Sequence, residues 1–400
     1  MKRLLTTKHL LPISSPAIKN GAIVLDDQTV IAIGDYSTIK ADYPDLPVID
    51  YSDYIILPGF VNCHTHLELT ALAGKFQPSD SFTGWIKQMV RLKPSLTEKE
   101  MVKGIDEGIK MLWESGVIAV GDICSEHVTY DRLIKSPLRG VQFFEFLALQ
   151  YDDVENRMKH LIDSLPNRKN KRIDVAISPH STYTLCQKAF EMISIFIKES
   201  GYHSAIHVGE SDEERHFFES RTGELFKFIH GYVPVSEKIK GTTPLTYLDK
   251  NDFLTNEAMM IHLNILLKEE IDILQKKNLS VIHCPLSHDY FNHPEFQMKL
   301  LVDNQINVAL GSDSLASNKT LNFFEELRAV KRKYPFLSPE KIIEMGTLSG
   351  AKALKLPEGI GEIKPGCFYD LIGISVFGRA DDPCETVIGN QSSIINIRNN

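Results

Sequence analysis

The sequence predicts an α/β protein: a (β/α)8 TIM-type barrel with a small β-sandwich domain built from both chain termini. Three observations predict it. Between residues 58 and 358, short apolar runs alternate with segments whose apolar residues recur at helical spacing. Both ends of the chain read instead as brief β-branched pieces separated by turn residues. The unusual polar residues of the apolar runs collect at their C-terminal ends, which a barrel gathers at one mouth.

In chain order, "GAIVLDDQTVIAIGD" holds two β-branched runs around Asp26-Asp27-Gln28 and predicts a hairpin. Eight strands follow, in "IILPGFVNCHTH", "VIAVGDI", "GVQFFEFLAL", "IDVAISPHS", "HSAIHVGE", "AMMIHLN", "SVIHCPLS" and "INVALGSD". Helices are predicted in "EKEMVKGIDEGIKMLWES", "VENRMKHLIDSL", "QKAFEMISIFIKES", "LKEEIDILQKKN" and "PEFQMKLLVDNQ". Ser211, followed by Asp212, Glu213 and Glu214, supplies the cap and acidic first turn of another. The end, "GEIKPGCFYDLIGISV" and "SSIINIRNN", returns to short strands around Pro365-Gly366. The predicted division is a small β domain of residues 1–57 and 359–400 and a barrel of residues 58–358. An open doubly wound sheet would want a glycine-rich phosphate turn after its first strand, and the sequence has none there.

Residues 58–68 read "PGFVNCHTHLE". Alternate residues of a strand share a face, so His64 and His66 leave the first strand on one side, close enough to grip one ion. The other strand ends extend the pattern. His180 ends the fourth, His207 the fifth with Glu210 just beyond, His262 the sixth, His283 the seventh and Asp313 the eighth. The chain has 14 histidines, and a large share of them falls at these ends. His283, beside Cys284 and Pro285, reads as a core histidine, but the set reads as a metal site. Neutral imidazoles with one carboxylate suit zinc or ferrous iron, with one position left open for water. His64, His66, His207 and Asp313 are the candidate ligands. A bridged two-metal site would need an anionic bridge, commonly a modified lysine at the fourth strand's end. The segment Ile173–Thr184 has no lysine, so one divalent transition metal per chain is expected, zinc ahead of iron.

Composition limits the partners. With 400 residues, 43% of them hydrophobic, the chain can bury a large core. A formal charge of −8 disfavours nucleic acid or an anionic membrane, both of which need a concentrated basic face. The six cysteines are scattered without a CxxC pair, which removes the structural-zinc and thioredoxin spacings and makes the cytoplasm the expected location. "MKRLLTTKHLLPISSP" starts basic, but Thr6, Thr7, Lys8 and His9 break its apolar stretch. No signal peptide or membrane span is expected.

Seven ordered motifs, "PGFVNCHTH", "SPHSTYT", "HVGES", "IHLN", "HCPLS", "LGSDSLASN" and "GEIKPGCFYDLI", resemble those of the amidohydrolase superfamily in its deaminase and chlorohydrolase-like branch. The resemblance covers nearly the whole chain. It implies His64, His66, His207 and Asp313 as ligands, Glu210 as proton shuttle and His262 as a second catalytic group, with His180 lining the substrate pocket. Asp313 would also take the proton of the attacking water. The implied reaction is hydrolytic deamination of an amine-bearing ring carbon, with a ring nitrogen protonated by Glu210. His288 departs from relatives, which often have Asn there. A different zinc deaminase class pairs H-x-E with a later PCxxC. His66-Leu67-Glu68 fits the first half, but "PCETV" at 383–387 fails the second, and that class is rejected.

"HTHLELTAL", "FTGWIKQMV", "SPLRGVQFFEFLAL" and "HVGESDEERHFF" most resemble aminodeoxyfutalosine deaminases, which hydrolyse the 6-amino group of an adenine nucleoside in a menaquinone-precursor route. S-adenosylhomocysteine/methylthioadenosine deaminases are the alternative, commonly with a small residue and Met in place of Leu67-Glu68. Guanine deaminase and s-triazine chlorohydrolase stand further off. The expected partner is a small-molecule aminopurine nucleoside, and a homodimer is a compatible assembly. Glu68 is a candidate for the ribose hydroxyls or a solvated rim residue. Arg139 and Glu145, on the third strand, would touch substrate or pair structurally, and Arg139, Arg215 and Lys75 are candidate cations for a substrate carboxylate. The reading of another class is a catalytically silent, metal-stabilised binding protein, in which Glu210 and His262 would have no use.

Overall fold

The computed structural model describes residues 2–27, 29–166, 170, 172–233, 239–376, 382–390 and 394–397. Strands β1 (Arg3–Leu10), β2 (Ile18–Leu25), β3 (Val30–Asp35) and β4 (Val48–Pro58) open the chain. Next come β5 (Phe60–Thr65), β6 (Val117–Cys124), β7 (Arg139–Phe146) and β8 (Ile173–Pro179). Then follow β9 (Ala205–Val208), β10 (Met259–His262), β11 (Ser280–His283) and β12 (Val308–Leu310), with β13 (Leu371–Ser375) and β14 (Ile394–Ile397) last. Helices α1 (Tyr36–Asp42), α2 (Phe82–Leu92), α3 (Glu98–Glu114) and α4 (His127–Leu133) lie between β3 and β7. Helices α5 (Val154–Ser164), α6 (Gln187–Ser200), α7 (Asp212–Glu219) and α8 (Gly223–His230) lie between β7 and β10. The chain divides into two compact units: Met1–Asn62 with Lys110–Ala119 and Asn322–Asn400, and Cys63–Ile109 with Val120–Leu321.

In the first unit six strands form one sheet, in the order β14-β13-β4-β1-β2-β3. β13 runs antiparallel to both β4 and β14, so strands from the two ends of the chain join in it. Alternation sorts the side chains by face. Leu5, Leu10, Ile23, Leu25 and Ile56 pack on one side, while Leu4, Ala22 and Val24 pack with Ile39 of α1 on the other. The β1–β4 register slips between Thr7 and His9, which lets Leu5 and Leu10, an odd number of residues apart, share a face. An antiparallel bridge joins Thr29 to Phe368, in the segment that leads into β13. Gln28 of the predicted hairpin, and 392–393 and 398–400 of the last predicted strand piece, lie outside the described residues.

Two further sheets have the strand orders β5-β6-β7-β8 and β12-β11-β10-β9. The pairs β7/β8, β9/β10, β10/β11 and β11/β12 are parallel. β5, β6, β9, β10 and β11 are buried at every position, as parallel strands covered on both faces should be. Isolated parallel bridges join Ile177 to Ser204 and Ser181 to His207, and another joins Thr65 to Asp313. Gly140 has φ +136°, and a Cβ there would stand 1.8 Å from the Val120 carbonyl oxygen, so only glycine fits.

The run "IILPGFVNCHTH", read as one strand, is two. β4 ends at Pro58 and β5 begins at Phe60, in different sheets. Proline cannot donate to a ladder, and a Cβ on Gly59 would stand 2.3 Å from a methyl carbon of Ile118. The helix predicted from Ser211 is α7: the Ser211 side chain accepts from the Glu214 backbone N–H, and Asp212, Glu213 and Glu214 fill the first turn. Helices α2 and α8 have no counterpart among the predicted ones. Among the described residues no helix is long and apolar enough to cross a membrane.

Candidate active site

Strand geometry delivers the polar residues of the second unit to one place. His64 is buried near the end of β5, and His66 follows two positions on, where a short 3-10 turn begins. Their rings meet edge to face with centroids 4.8 Å apart. His66 Nε2 lies 3.3 Å from Nε2 of His207, on β9. His207 Nδ1 stands 2.7 Å from the backbone carbonyl oxygen of His180. A carbonyl only accepts, so Nδ1 carries the proton and Nε2 keeps the lone pair. Asp313, just past β12, brings Oδ1 to 3.4 Å from His64 Nε2 and 3.9 Å from His66 Nε2. Its Oδ2 accepts from the Ser287 and Ser317 hydroxyls, each at 2.7 Å. His262 ends β10 with φ +69° and Asp313 has φ +54°. Non-glycine residues in that region are uncommon, and their gathering here is the kind of local strain that sites retain.

These residues fit a metal ion. One atom from each of His64, His66 and His207 lies within 4.8 Å of the others, and the same holds for His64, His262 and Asp313. Two nitrogens each 2.0–2.1 Å from one tetrahedral zinc lie about 3.3 Å apart. The His66–His207 separation has that value. Burial, and then the neighbouring His64 and the other imidazoles, push the His66 and His207 rings well below their ordinary value, toward the neutral form a ligand needs. Burial alone would raise the Asp313 carboxyl, but its hydrogen bond and charge interaction with His64 hold it well below the usual carboxylate range. His66 and His207 therefore favour neutral nitrogen, and Asp313 favours anionic oxygen.

Beside the cluster stand groups of a different kind. Glu210 Oε1 is 3.6 Å from His262 Nε2. Burial, then the charges of Asp313 and Glu214, raise the Glu210 carboxyl well above the ordinary range, a shift that favours its proton-bearing form. Its backbone is clamped from both sides: its N–H donates to Glu214 Oε2 at 2.7 Å, and its carbonyl accepts from Asn264 Nδ2 at 2.8 Å. His288 Nδ1 in turn donates to Asn264 Oδ1 at 3.1 Å. A cavity of about 450 Å³ opens over His66, His207, Glu210, His262 and Asp313. One wall is the α2 stripe Phe82, Trp85, Ile86, Met89 and Val90; Phe228 and Ile229 of α8 form another.

The sequence profile of the amidohydrolase family matches residues 55–394. The chain belongs to that family. A Helicobacter pylori protein named adenosine deaminase is 28% identical over 364 residues, covering 89% of this chain and 86% of that one. A Pyrococcus furiosus protein named 5-methylthioadenosine/S-adenosylhomocysteine deaminase is 28% identical over 389 residues, covering 90% and 86%. The crystal structure of Helicobacter pylori aminofutalosine deaminase with methylthio-coformycin superposes with a TM-score of 0.85 at 23% identity, covering 96% of this chain and 95% of that one. That last likeness is one of fold.

This amidohydrolase brings together His64, His66, His180, His207, Glu210, His262 and Asp313, while other predicted residues fall elsewhere. Glu68 neither lines the cavity nor sits on a solvated rim: it is 1% exposed and bonded to Lys93 Nζ at 2.5 Å and to the Ser125 and Glu126 backbone N–H groups. Arg139 opens β7, so it sits at the far end of that strand from Glu145, which does line the cavity. Arg215 pairs with Asp212 and Glu219 on α7, and neither it nor Lys75 lines the cavity. The cation on the wall is Lys93, just past α2. Burial would lower its pKa, but Glu68 and Glu145 raise it. His283 is buried and stacked on Phe296, centroids 4.0 Å apart, and does not line the cavity. The clamp of Asn264 and Glu214 and the serines on Asp313 escape sequence reading, because nothing in their spacing distinguishes them from ordinary polar residues.

Proposed function

We propose that this amidohydrolase is a metal-dependent hydrolytic deaminase of a 6-aminopurine nucleoside, with aminodeoxyfutalosine of the menaquinone-precursor route as its substrate. Glu210 carries the reading. It is a buried carboxyl, raised well above the ordinary range by burial, beside the imidazole–carboxylate cluster and 3.6 Å from His262. A proton donor there suits a ring nitrogen that must gain a proton, and has no use in a silent binding protein.

His64, His66, His207 and Asp313 would hold one divalent ion, zinc ahead of iron. Such an ion, when bound, lowers the pKa of a water toward about 7 and so supplies a nucleophile at neutral pH. The chain's own residues do the remainder. Asp313, fixed through Oδ2 by Ser287 and Ser317, accepts one proton of the attacking water. As the new C6–O bond forms, Glu210 gives its proton to the adjacent ring nitrogen. His262 holds the added oxygen as charge develops there. The hydroxyl proton returns to Glu210, the proton on Asp313 passes to the amine, and the C6–N bond breaks to release ammonia and a 6-oxopurine. His180, whose Nδ1 lies 2.9 Å from the Thr184 hydroxyl, turns Nε2 to the base.

Lys93, paired with Glu68 and sharing its wall with Glu145, stands beside the apolar α2 stripe, and this supports a 5′ substituent that is both aromatic and anionic. The second reading, methylthioadenosine/S-adenosylhomocysteine deamination, is favoured by the same apolar wall and by the Pyrococcus furiosus relative. We also read the eight strands β5–β12 as one closed (β/α)8 barrel, supported by the bridges at Ser204, His207 and Asp313. The six-stranded sheet reads as a small β-sandwich curled over the Leu5–Ile23–Ile56 cluster, supported by the Thr29–Phe368 bridge. The division at residues 58 and 358 belongs with that reading, as do a cytoplasmic setting and no nucleic-acid or membrane partner.

An ammonia-release screen over adenosine, methylthioadenosine, S-adenosylhomocysteine, aminodeoxyfutalosine and guanine, with zinc- and iron-loaded protein, tests the proposal. Aminodeoxyfutalosine should show the highest kcat/KM. A tenfold or larger advantage for methylthioadenosine or S-adenosylhomocysteine would overturn the substrate assignment. Release from none of them would overturn the deaminase reading itself.

A further inference from the structure

Glu145 is the last but one residue of β7, on the cavity wall, with its side chain 13% exposed. No hydrogen bond to its carboxylate is found among the described residues, and its one ion-pair neighbour, His180 Nε2, stands at 3.7 Å. A nearly buried carboxylate without a donor is costly, and native structures seldom keep one without a use. Its position relative to the cluster is informative. His207 belongs to the cluster, the His180 ring lies 5.2 Å from the His207 ring, and Glu145 lies beyond His180. Moving outward, the order is reacting centre, base-facing imidazole, carboxylate. A nucleoside laid with C6 at the cluster presents its base and then its sugar in the same order.

We infer that Glu145 is the acceptor for the ribose hydroxyls of the substrate, a specificity-determining contact that takes the role expected of Glu68. Two carboxylate oxygens match the two neighbouring hydroxyl donors of a ribose. A cationic ligand group fits less well, because Lys93 lines the same wall and its charge acts on Glu145. Glu68 is unsuited because its oxygens are already committed to Lys93, Ser125 and the Glu126 backbone. The inference rests on the nucleoside deaminase reading of the same site.

The test compares a 5′-substituted adenosine with its 2′-deoxy and 3′-deoxy analogues, on metal-loaded wild type, Glu145→Ala and Glu145→Gln. Wild type should lose about tenfold or more in kcat/KM when either hydroxyl is removed, the scale of a hydrogen bond to a charged group. Glu145→Ala should fall by a similar factor on the ribonucleoside and turn over the deoxy analogues as wild type does, erasing the discrimination. Glu145→Gln, which keeps shape and one acceptor oxygen, should fall between. Equal losses on all three nucleosides in both variants, or a wild type indifferent to the hydroxyls, would overturn the role of Glu145 while leaving deamination intact. Ammonia release from no purine nucleoside by wild type would remove both readings together.

Discussion

His66 Nε2 and His207 Nε2 face each other at 3.3 Å, while the other nitrogen of His207 is committed to a main-chain oxygen. Two ring nitrogens that close, one of them a bare lone pair, form an arrangement a cation completes. Purified protein should therefore carry about one tightly held transition metal per chain, and His207→Ala should lose most of it. Metal analysis of both proteins decides, and two ions per wild-type chain would sink the mononuclear reading.

Glu210 lies beside that cluster, its carboxyl raised well above the ordinary range by burial. Glu210→Gln should keep the metal yet lose on the order of 10²–10⁴ in turnover. The proposed acid must be protonated to act, so wild-type activity should decline as pH rises through its raised pKa. Near-normal turnover in the variant would remove Glu210 from the chemistry, and loss of metal would recast it as a ligand.

Asn264 holds the Glu210 carbonyl at 2.8 Å and is itself held by His288. Asn264→Ala should lower kcat about tenfold, with metal content and KM little changed, because only the aim of Glu210 is loosened. His288→Asn keeps a donor to Asn264 and should cost less. A change in KM alone would assign the pair to substrate binding instead.

Lys93 is the counter-charge for Glu68, whose carboxylate is 1% exposed. Lys93 is 26% exposed, and Ser125 and Glu126 still donate to Glu68 once it is gone, so its removal costs about 1–3 kcal/mol. Lys93→Met should lower the unfolding midpoint markedly, and Glu68→Leu added to it should recover much of the loss. A Lys93→Met protein as stable as wild type would mean that Glu68 finds another partner.

Glu214 offers a pH-dependent test of stability. Burial pushes its carboxyl up to about 7 from an ordinary 4.5, over opposing hydrogen bonds from Thr182 and from the Glu210 and Gly209 backbone. The folded state thus binds this proton more tightly than the unfolded chain. Below about 4.5 both states are protonated and no cost arises; as pH rises through about 7, stability falls by on the order of 3 kcal/mol. Denaturant midpoints at pH 5 and pH 8 should converge in Glu214→Gln relative to wild type. Parallel shifts in the two proteins would contradict the assignment.

The cluster was legible because strand-end histidines need no knowledge of packing: alternation sets which way His64 and His66 point, and βα order sets which ends meet. The α2 stripe is legible in principle, since Phe82, Trp85, Ile86, Met89 and Val90 follow helical spacing in "FTGWIKQMV". Other features lie beyond pattern. The break at Gly59 depends on how close Ile118 comes, and the positive φ of His262 and Asp313 leaves no trace when the residue is not glycine. Glu68 stands in sequence between His66 and Leu69, which line the cavity, and that proximity alone suggests a substrate contact. Its true partner, Lys93, is 25 residues away.

The proton on His207 is fixed by the carbonyl of residue 180, an atom that every amino acid carries. The side chain at that position thus does not decide which nitrogen of His207 carries the proton, though its ring adds to the field that lowers the His207 pKa. Under the proposed function, replacing His180 would change what meets the incoming base while leaving His207 in the same tautomer. A lineage of such enzymes would be able to explore new substrates at this position without rebuilding the centre that does the chemistry, and a directed-evolution library begun at residue 180 would start from the same freedom.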